Sequence, residues 1–206
     1  MLALTAAALF LVSLDLSIVV VAKRTIDEDL GGGSLLTWVF SAYAIAYAAA
    51  LLTAGRFADV FGRKRSFLRG VLWFSFGSLL CGFAPTAWFL VLARVVQAFG
   101  GAQLSPAALA LVLPEFPVEK RTQAIAIWGA SGGIAAALGP SIGGILVDTL
   151  GWRSLFFINI PITLLTVLIG RRLLRESKDP NAQRKVDYPS AALGFSGVAF
   201  VVLGIS

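Results

Sequence analysis

The apolar residues of this chain fall into long runs, and its charged residues are confined almost entirely to the short stretches between them. Neither a helical stripe nor a strand alternation organises the runs; each is apolar on all sides, the pattern of a helix surrounded by lipid. A bilayer core of about 30 Å needs about 20 helical residues at about 1.5 Å of rise each. Six runs fall in that range: 2–22, 35–54, 66–84, 88–111, 122–147 and 154–170. The first has no basic stretch before it and no small-residue cleavage site before Lys23, so it reads as a retained helix, not a signal peptide. A seventh run starts at Ser190 and reaches Ser206, a length of about 16 residues at the lower limit for spanning. The expectation is an all-α membrane protein with a six-helix bundle over 1–172, a linker over 173–189 and the start of a seventh helix over 190–206, as in the front part of a longer protein.

Composition agrees: 58% of residues are hydrophobic and 14% charged, with a mean hydropathy of +0.86, which excludes a soluble domain for most of the chain. The net charge of +6 would suit nucleic acid if it lay on one soluble face, but it does not. Arg56, Arg63, Lys64, Arg65 and Arg69 flank the second connection, Lys120 and Arg121 the fourth, and Arg171, Arg172, Arg175, Lys178, Arg184 and Lys185 the sixth. The odd connections carry only Lys23, Arg24 and Arg153, beside Asp27, Glu28, Asp29 and Asp148. The positive-inside rule then predicts a cytoplasmic N-terminus and a cytoplasmic linker, and no nucleic-acid partner. One cysteine, Cys81, and no histidine leave no intrachain disulfide, no Cys/His metal centre and no histidine relay. No cofactor is expected, and any proton coupling must use carboxylates.

Two charges break the runs: Arg94 in LVLARVVQAFGG and Asp15 in FLVSLDLSIVVVA. An ionisable group at membrane depth costs about 2.5 to 3.5 kcal/mol on insertion scales, so it faces a partner or a wet cavity. Counted from the nearer ends of their runs, both lie about 9 to 10 Å deep, where they can meet. Two readings stay open: an ion pair that only joins the first and fourth helices, or a proton-sensitive site beside a substrate cavity. Tyr43 and Tyr47, one turn apart, together with Trp38 and Phe40, offer rings either to packing or to an apolar or cationic ligand. No nucleophile with a base, and no metal set, occurs at that depth, so an enzyme is not expected.

The chain also repeats itself. GxxxDxxG occurs at Gly55, Asp59 and Gly62 and again at Gly144, Asp148 and Gly151, each time between the second and third helices of a three-helix unit. Units of three spans place the copies on opposite sides of the membrane, so 1–84 and 88–172 read as inverted repeats. In the first copy the glycines permit a tight reversal, Asp59 suits helix N-terminal amides, and Arg63, Lys64 and Arg65 suit an anionic surface. On the fifth helix, Pro140 removes a hydrogen bond to Ala136, and Gly129, Gly133, Gly139, Gly143 and Gly144 present a smooth stripe for another backbone, expected to be that of a second half.

These stretches resemble the major facilitator superfamily. GRFADVFGRKR is similar to that family's motif between helices 2 and 3, matching at Gly55, Ala58, Asp59, Gly62, Arg63 and Lys64. LVLARVVQAFGGA is similar to the fourth-helix motif at Leu90, Arg94, Gln97 and Gly100, where the arginine is associated with proton coupling. ALGPSIGG resembles the fifth-helix antiporter motif at Gly139, Pro140, Gly143 and Gly144. LDLSIVVVA, GWRSLFFINIP and VDYPSAALGF resemble the drug:proton antiporter subfamily with 14 helices. The resemblance implies a six-helix half of a major facilitator fold, in a cell membrane, completed by a C-terminal half outside these residues. It also implies proton-coupled export of hydrophobic or cationic compounds, with Asp15, Arg94, Gln97, Tyr43 and Tyr47 at the cavity and Asp59 in a cytoplasmic gate. The alternative is a membrane-embedded binding or scaffold protein, or a half without a transport cycle.

Overall fold

The computed structural model describes residues 1–178; the expected seventh helix and most of the linker lie outside them. Among the described residues the chain forms α1 (Leu2–Val21), α2 (Lys23–Leu30), α3 (Leu35–Phe61), α4 (Arg63–Gly82), α5 (Ala87–Val112), α6 (Arg121–Leu150), α7 (Ser154–Phe157) and α8 (Asn159–Leu173), and no strand. The six expected spans correspond to α1, α3, α4, α5, α6 and the pair α7 and α8. Four helical stretches, Leu2–Val21, Ala87–Glu115, Val118–Leu150 and Ser154–Leu173, are long and apolar enough to cross a membrane, and α3 makes a fifth when Leu35–Leu51 and Thr53–Phe61 are taken as one span. The sixth, α4, falls short by hydropathy because its first turns carry Arg63, Lys64, Arg65 and Arg69.

The inverted repeat is visible in the packing. The tightest associations are α4 with α5, α1 with α6 and α3 with α5. Exchanging the first three spans with the last three converts α1 on α6 into α5 on α3, so these two contacts are one contact made twice. The turns repeat as well. Gly62 (φ 119°) ends α3 and Gly151 (φ 79°) ends α6, both in the left-handed region that a side chain disfavours. In each, the glycine N–H donates to the carbonyl four residues back, Ala58 or Val147.

Two features go beyond the sequence reading. The sixth span, Ser154–Leu173, is one crossing in which a single residue, Ile158, separates α7 from α8, so that Asn159 opens α8. The connection after α1 is not a simple loop: α2 is amphipathic, with Ile26 in the core, and its Asp29 accepts from Arg153 Nη1 (2.6 Å) and Trp152 Nε1 (3.1 Å). Arg153 also donates to Ala84 O at 3.2 Å, so three connections at one end of the bundle are tied together. The Arg153 hydrogen bond, then that of Trp152, holds the Asp29 carboxyl below its ordinary value. A lowered carboxylate pKa contributes stability that is present above the unfolded value and lost as pH falls through the folded one. The tie should therefore stay closed at neutral pH and open only in acid below the usual carboxylate range. Asp29→Asn should open it at pH 7, read as faster tryptic cleavage at Arg153 in detergent.

A buried polar cluster and a basic turn

α5 and α4 meet backbone to backbone. A Cβ at Gly77 would collide with the backbone of Gln97, and one at Gly100 with that of Phe74; only glycine allows this approach. It brings Ser78 of α4 against Gln97 of α5, whose side chain shares a face with Arg94 one turn earlier. α1 supplies Asp15, and the break before α8 supplies Asn159.

Arg94 and Asp15 are 1% and 0% exposed. Arg94 Nη1 donates to Asp15 Oδ2 (2.5 Å) and to Gln97 Oε1 (2.6 Å), and Nε donates to Val39 O (3.5 Å). Asp15 Oδ1 accepts from Gln97 Nε2 (2.8 Å) and Asn159 Nδ2 (2.9 Å). Ser78 Oγ accepts from the same two amides, at 2.6 Å and 3.0 Å. Tyr43 lays its ring 4.1 Å from the guanidinium carbon, with Phe156 further off at 5.9 Å. Taking two charges out of water costs several kcal/mol per ion, and the pair persists where the remaining acceptors are also occupied. Three donors on one carboxylate meet that condition. Two buried polar atoms of the cluster, the Tyr43 hydroxyl and Asn159 Oδ1, have no protein partner among the described residues.

Asp15, Arg94, Gln97 and Tyr43 thus lie together. Tyr47 is one step removed: it stacks on Tyr43 with ring centres 6.0 Å apart and donates to Ser105 Oγ at 2.9 Å. Ser78 and Asn159 were missed. The signal available for both is the one that drew attention to Asp15, a lone polar residue inside an apolar run.

At the opposite end, the turn between α3 and α4 departs from expectation. Asp59 does not face helix N-terminal amides. It lies in the last turn of α3, where Arg63 four residues on reaches it at 2.9 Å. The amides at the start of α4 are held instead by Glu176, which accepts from Lys64 N (3.0 Å) and Arg65 N (3.3 Å). The reason is that α3 continues to Phe61, leaving Gly62 alone to make the reversal, and a Cβ on Gly62 would occupy the space of the Glu176 carboxylate. Arg63 Nη1 also reaches Ala110 O at 3.4 Å, and Lys64 Nζ donates to Arg171 O at 2.8 Å. This one turn therefore touches the ends of α5 and α8. Gly55, one turn before Asp59, faces Pro106 of α5.

The fifth-span stripe divides between two faces. Gly132, Gly139 and Gly143 are buried against α1, a Cβ on Gly139 colliding with Ser17 and one on Gly143 lying 3.2 Å from Ile18 Cα. Gly129, Gly133 and Gly144 have open space, and Pro140 is exposed. The stripe as a whole is therefore not free for a second half: Gly139 and Gly143 are already used within the chain.

Residues 5–204 match the sequence profile described as Major Facilitator Superfamily. The chain is 40% identical over 198 residues to the puromycin resistance protein pur8 of Streptomyces alboniger, covering 95% of this chain and 39% of that protein. It is 37% identical over 179 residues to multidrug resistance protein 3 of Bacillus subtilis (strain 168), covering 87% and 35%. To the cephamycin export protein CmcT of Amycolatopsis lactamdurans it is 35% identical over 208 residues, covering 100% and 43%. In fold it is similar to the human organic anion transporter MFSD10 (TETRAN), with a TM-score of 0.77 at 16% identity over 96% of this chain and 53% of that one. The chain spans well under half the length of these curated relatives. By its matching residues, its repeat and its fold, it belongs to the major facilitator superfamily.

Proposed function

We propose that these residues are the N-terminal half of a proton-coupled exporter of hydrophobic or cationic drug-like compounds, working by alternating access against a C-terminal half. The observation that carries the reading is the fully buried Asp15–Arg94 pair with its shell of amides. Three donors sit on the Asp15 carboxylate, and a proton added there removes the charge that holds Arg94, which couples proton uptake to rearrangement of α1 against α5. The unpartnered Tyr43 hydroxyl and Asn159 Oδ1 supply polar contacts for a bound compound, and the Tyr43 ring a face for a cation. The printed roles of relatives, puromycin resistance, cephamycin export and multidrug resistance, favour export and an amphipathic substrate class. The basic bias of the even connections supports a multi-pass arrangement in the cell membrane with the N-terminus in the cytoplasm.

On this reading the turn around Asp59 is a cytoplasmic gate made of Gly55, Asp59, Gly62, Arg63 and Lys64, closed within this half by Glu176. Asp59→Asn and Glu176→Gln should slow exchange between inward- and outward-open states while leaving substrate affinity within about twofold, since neither touches the buried cluster. Equilibrium binding and transport flux, measured separately, check this; equal loss of both would remove the gate. The reading as a whole is tested by efflux of a panel of cationic and neutral dyes from cells making the full-length protein, with Asp15→Asn as the paired control. Retention of every dye at the level of cells lacking the protein contradicts it.

A further inference from the structure

Two side-chain amides hold the same oxygen of Asp15, and they differ at their other ends. Gln97 Nε2 and Asn159 Nδ2 donate to Asp15 Oδ1 at 2.8 Å and 2.9 Å, and both also donate to Ser78 Oγ. Their orientation follows from chemistry, because an amide oxygen in either place would face a carboxylate oxygen. Gln97 Oε1 is occupied in turn: it accepts from Arg94 Nη1 at 2.6 Å, with the Cys81 thiol 3.8 Å away. Asn159 Oδ1 is buried and has no donor among the described residues.

A proton arriving at this carboxylate has one favourable place to go. Oδ2 faces the Arg94 guanidinium, which repels a hydrogen there, so the hydrogen falls to Oδ1. Oδ1 then changes from acceptor to donor and meets two N–H groups, neither of which can accept it. One amide must present its oxygen instead. Gln97 is locked, since reversing it would take its oxygen from Arg94 and aim its NH2 group at the guanidinium. Asn159 can reverse without breaking any bond at its far end. The torsion involved, about Cβ–Cγ, is broad and roughly two-fold, so the reversed amide fills nearly the same space. The backbone beneath stays anchored, because Thr163 Oγ1 donates to Asn159 O at 2.8 Å.

We infer that Asn159 is the positioning residue that reads the protonation state of Asp15: its amide donates to the ionised carboxylate and reverses to accept from the protonated one. The inference rests on the proton-coupled reading above. Asn159 opens α8 directly after Ile158, so the reversal carries the state of α1 into the joint between α7 and α8. At the far side of the amide it exchanges a free acceptor for a free N–H. A compound bonded to Oδ1 through its own donor would lose that acceptor as the proton arrives. The titratable groups nearest Asp15 are Arg94 of α5, Tyr43 of α3 and Cys81 of α4; α7 has none, and α6 and α8 carry theirs only at their ends.

The test is infrared difference spectroscopy, acid minus neutral, on the purified full-length protein in lipid, with ethidium transport measured beside it. The parent should gain a protonated-carboxyl band that Asp15→Asn lacks, together with a shifted side-chain amide band that both Asn159→Leu and Asn159→Ser lack. In Asn159→Leu the carboxyl band should move to higher wavenumber, its hydrogen having lost its acceptor. That variant should also lose gradient-driven ethidium transport by a several-fold larger factor than gradient-free exchange. Asn159→Ser, whose hydroxyl turns between donating and accepting, should recover part of that ratio, and it serves for both readouts where the leucine variant fails to fold. A carboxyl band without an Asn159-dependent amide band overturns the reversal and leaves proton coupling standing. An absent carboxyl band overturns the proton-coupled reading and the reversal with it. Gradient-driven transport at the parent rate in Asn159→Leu also overturns the assignment.

Discussion

Asp15→Asn and Arg94→Ala are each expected to abolish gradient-driven efflux in the full-length protein, by two orders of magnitude or to background. They should differ in what they do to the fold. Asp15→Asn keeps the size of the side chain and loses the charge, so Arg94 is left buried without its counter-ion; Arg94→Ala leaves Asp15 charged among amides only. Removing one partner of a buried pair costs about 3 to 5 kcal/mol because the survivor is uncompensated. The double variant Asp15→Asn with Arg94→Gln removes both charges and should recover most of that stability without recovering transport. If the double variant transports normally, the pair is a helix joint and nothing more. Arg94→Lys should rescue poorly: an ammonium is a point charge on one nitrogen and cannot hold Val39 O through Nε and Asp15 and Gln97 through Nη1 while a planar carbon faces the Tyr43 ring. The checks are thermal aggregation in detergent for stability and dye efflux for function.

Gly100→Ala is expected to destabilise the bundle out of proportion to one methyl group. Its Cβ would enter the space of the Phe74 backbone, and backbone cannot rotate aside as a side chain can. α4 and α5 must separate, at a cost of about 1 to 3 kcal/mol for overpacking, and the separation falls one turn from Gln97, drawing it off Ser78. A lower aggregation temperature together with reduced efflux is the expected result. Gly133→Ala on α6, where the added atom meets open space, is the control and should change neither. Equal tolerance at both positions would mean that α4 and α5 are not in backbone contact in the membrane.

Much of this architecture was legible in the chain because membrane helices leave a coarse mark in the length and apolarity of their runs. α4 shows the limit of that mark, since its basic first turns serve the turn from α3 and pull its hydropathy below the level of a span. The Asp15–Arg94 pair was legible from depth alone. Ser78 and Asn159 were not, because a lone serine or asparagine in an apolar run is common and only the crossing of α4, α5 and α8 gives these two a role. Glu176 was hidden for a different reason. Its partners are backbone amides more than a hundred residues earlier, and nothing in the local sequence of either segment announces the contact. The place of Asp59 beside a glycine turn suggests an amide acceptor, but helical continuation to Phe61 gives it Arg63 instead. The stripe on α6 looks like one surface in sequence because glycine spacing does not say which neighbour is taken up within the same chain.

On the proposed reading, protonation of Asp15 drives the cycle. Purified full-length protein in liposomes, loaded with a cationic dye and given an imposed pH gradient of either sign, tests it directly. Dye movement should follow the gradient, reverse when the gradient reverses, stop with a protonophore, and be absent in Asp15→Asn while that variant still exchanges dye across the membrane without a gradient. Gradient-driven movement at the parent rate in Asp15→Asn would contradict the account.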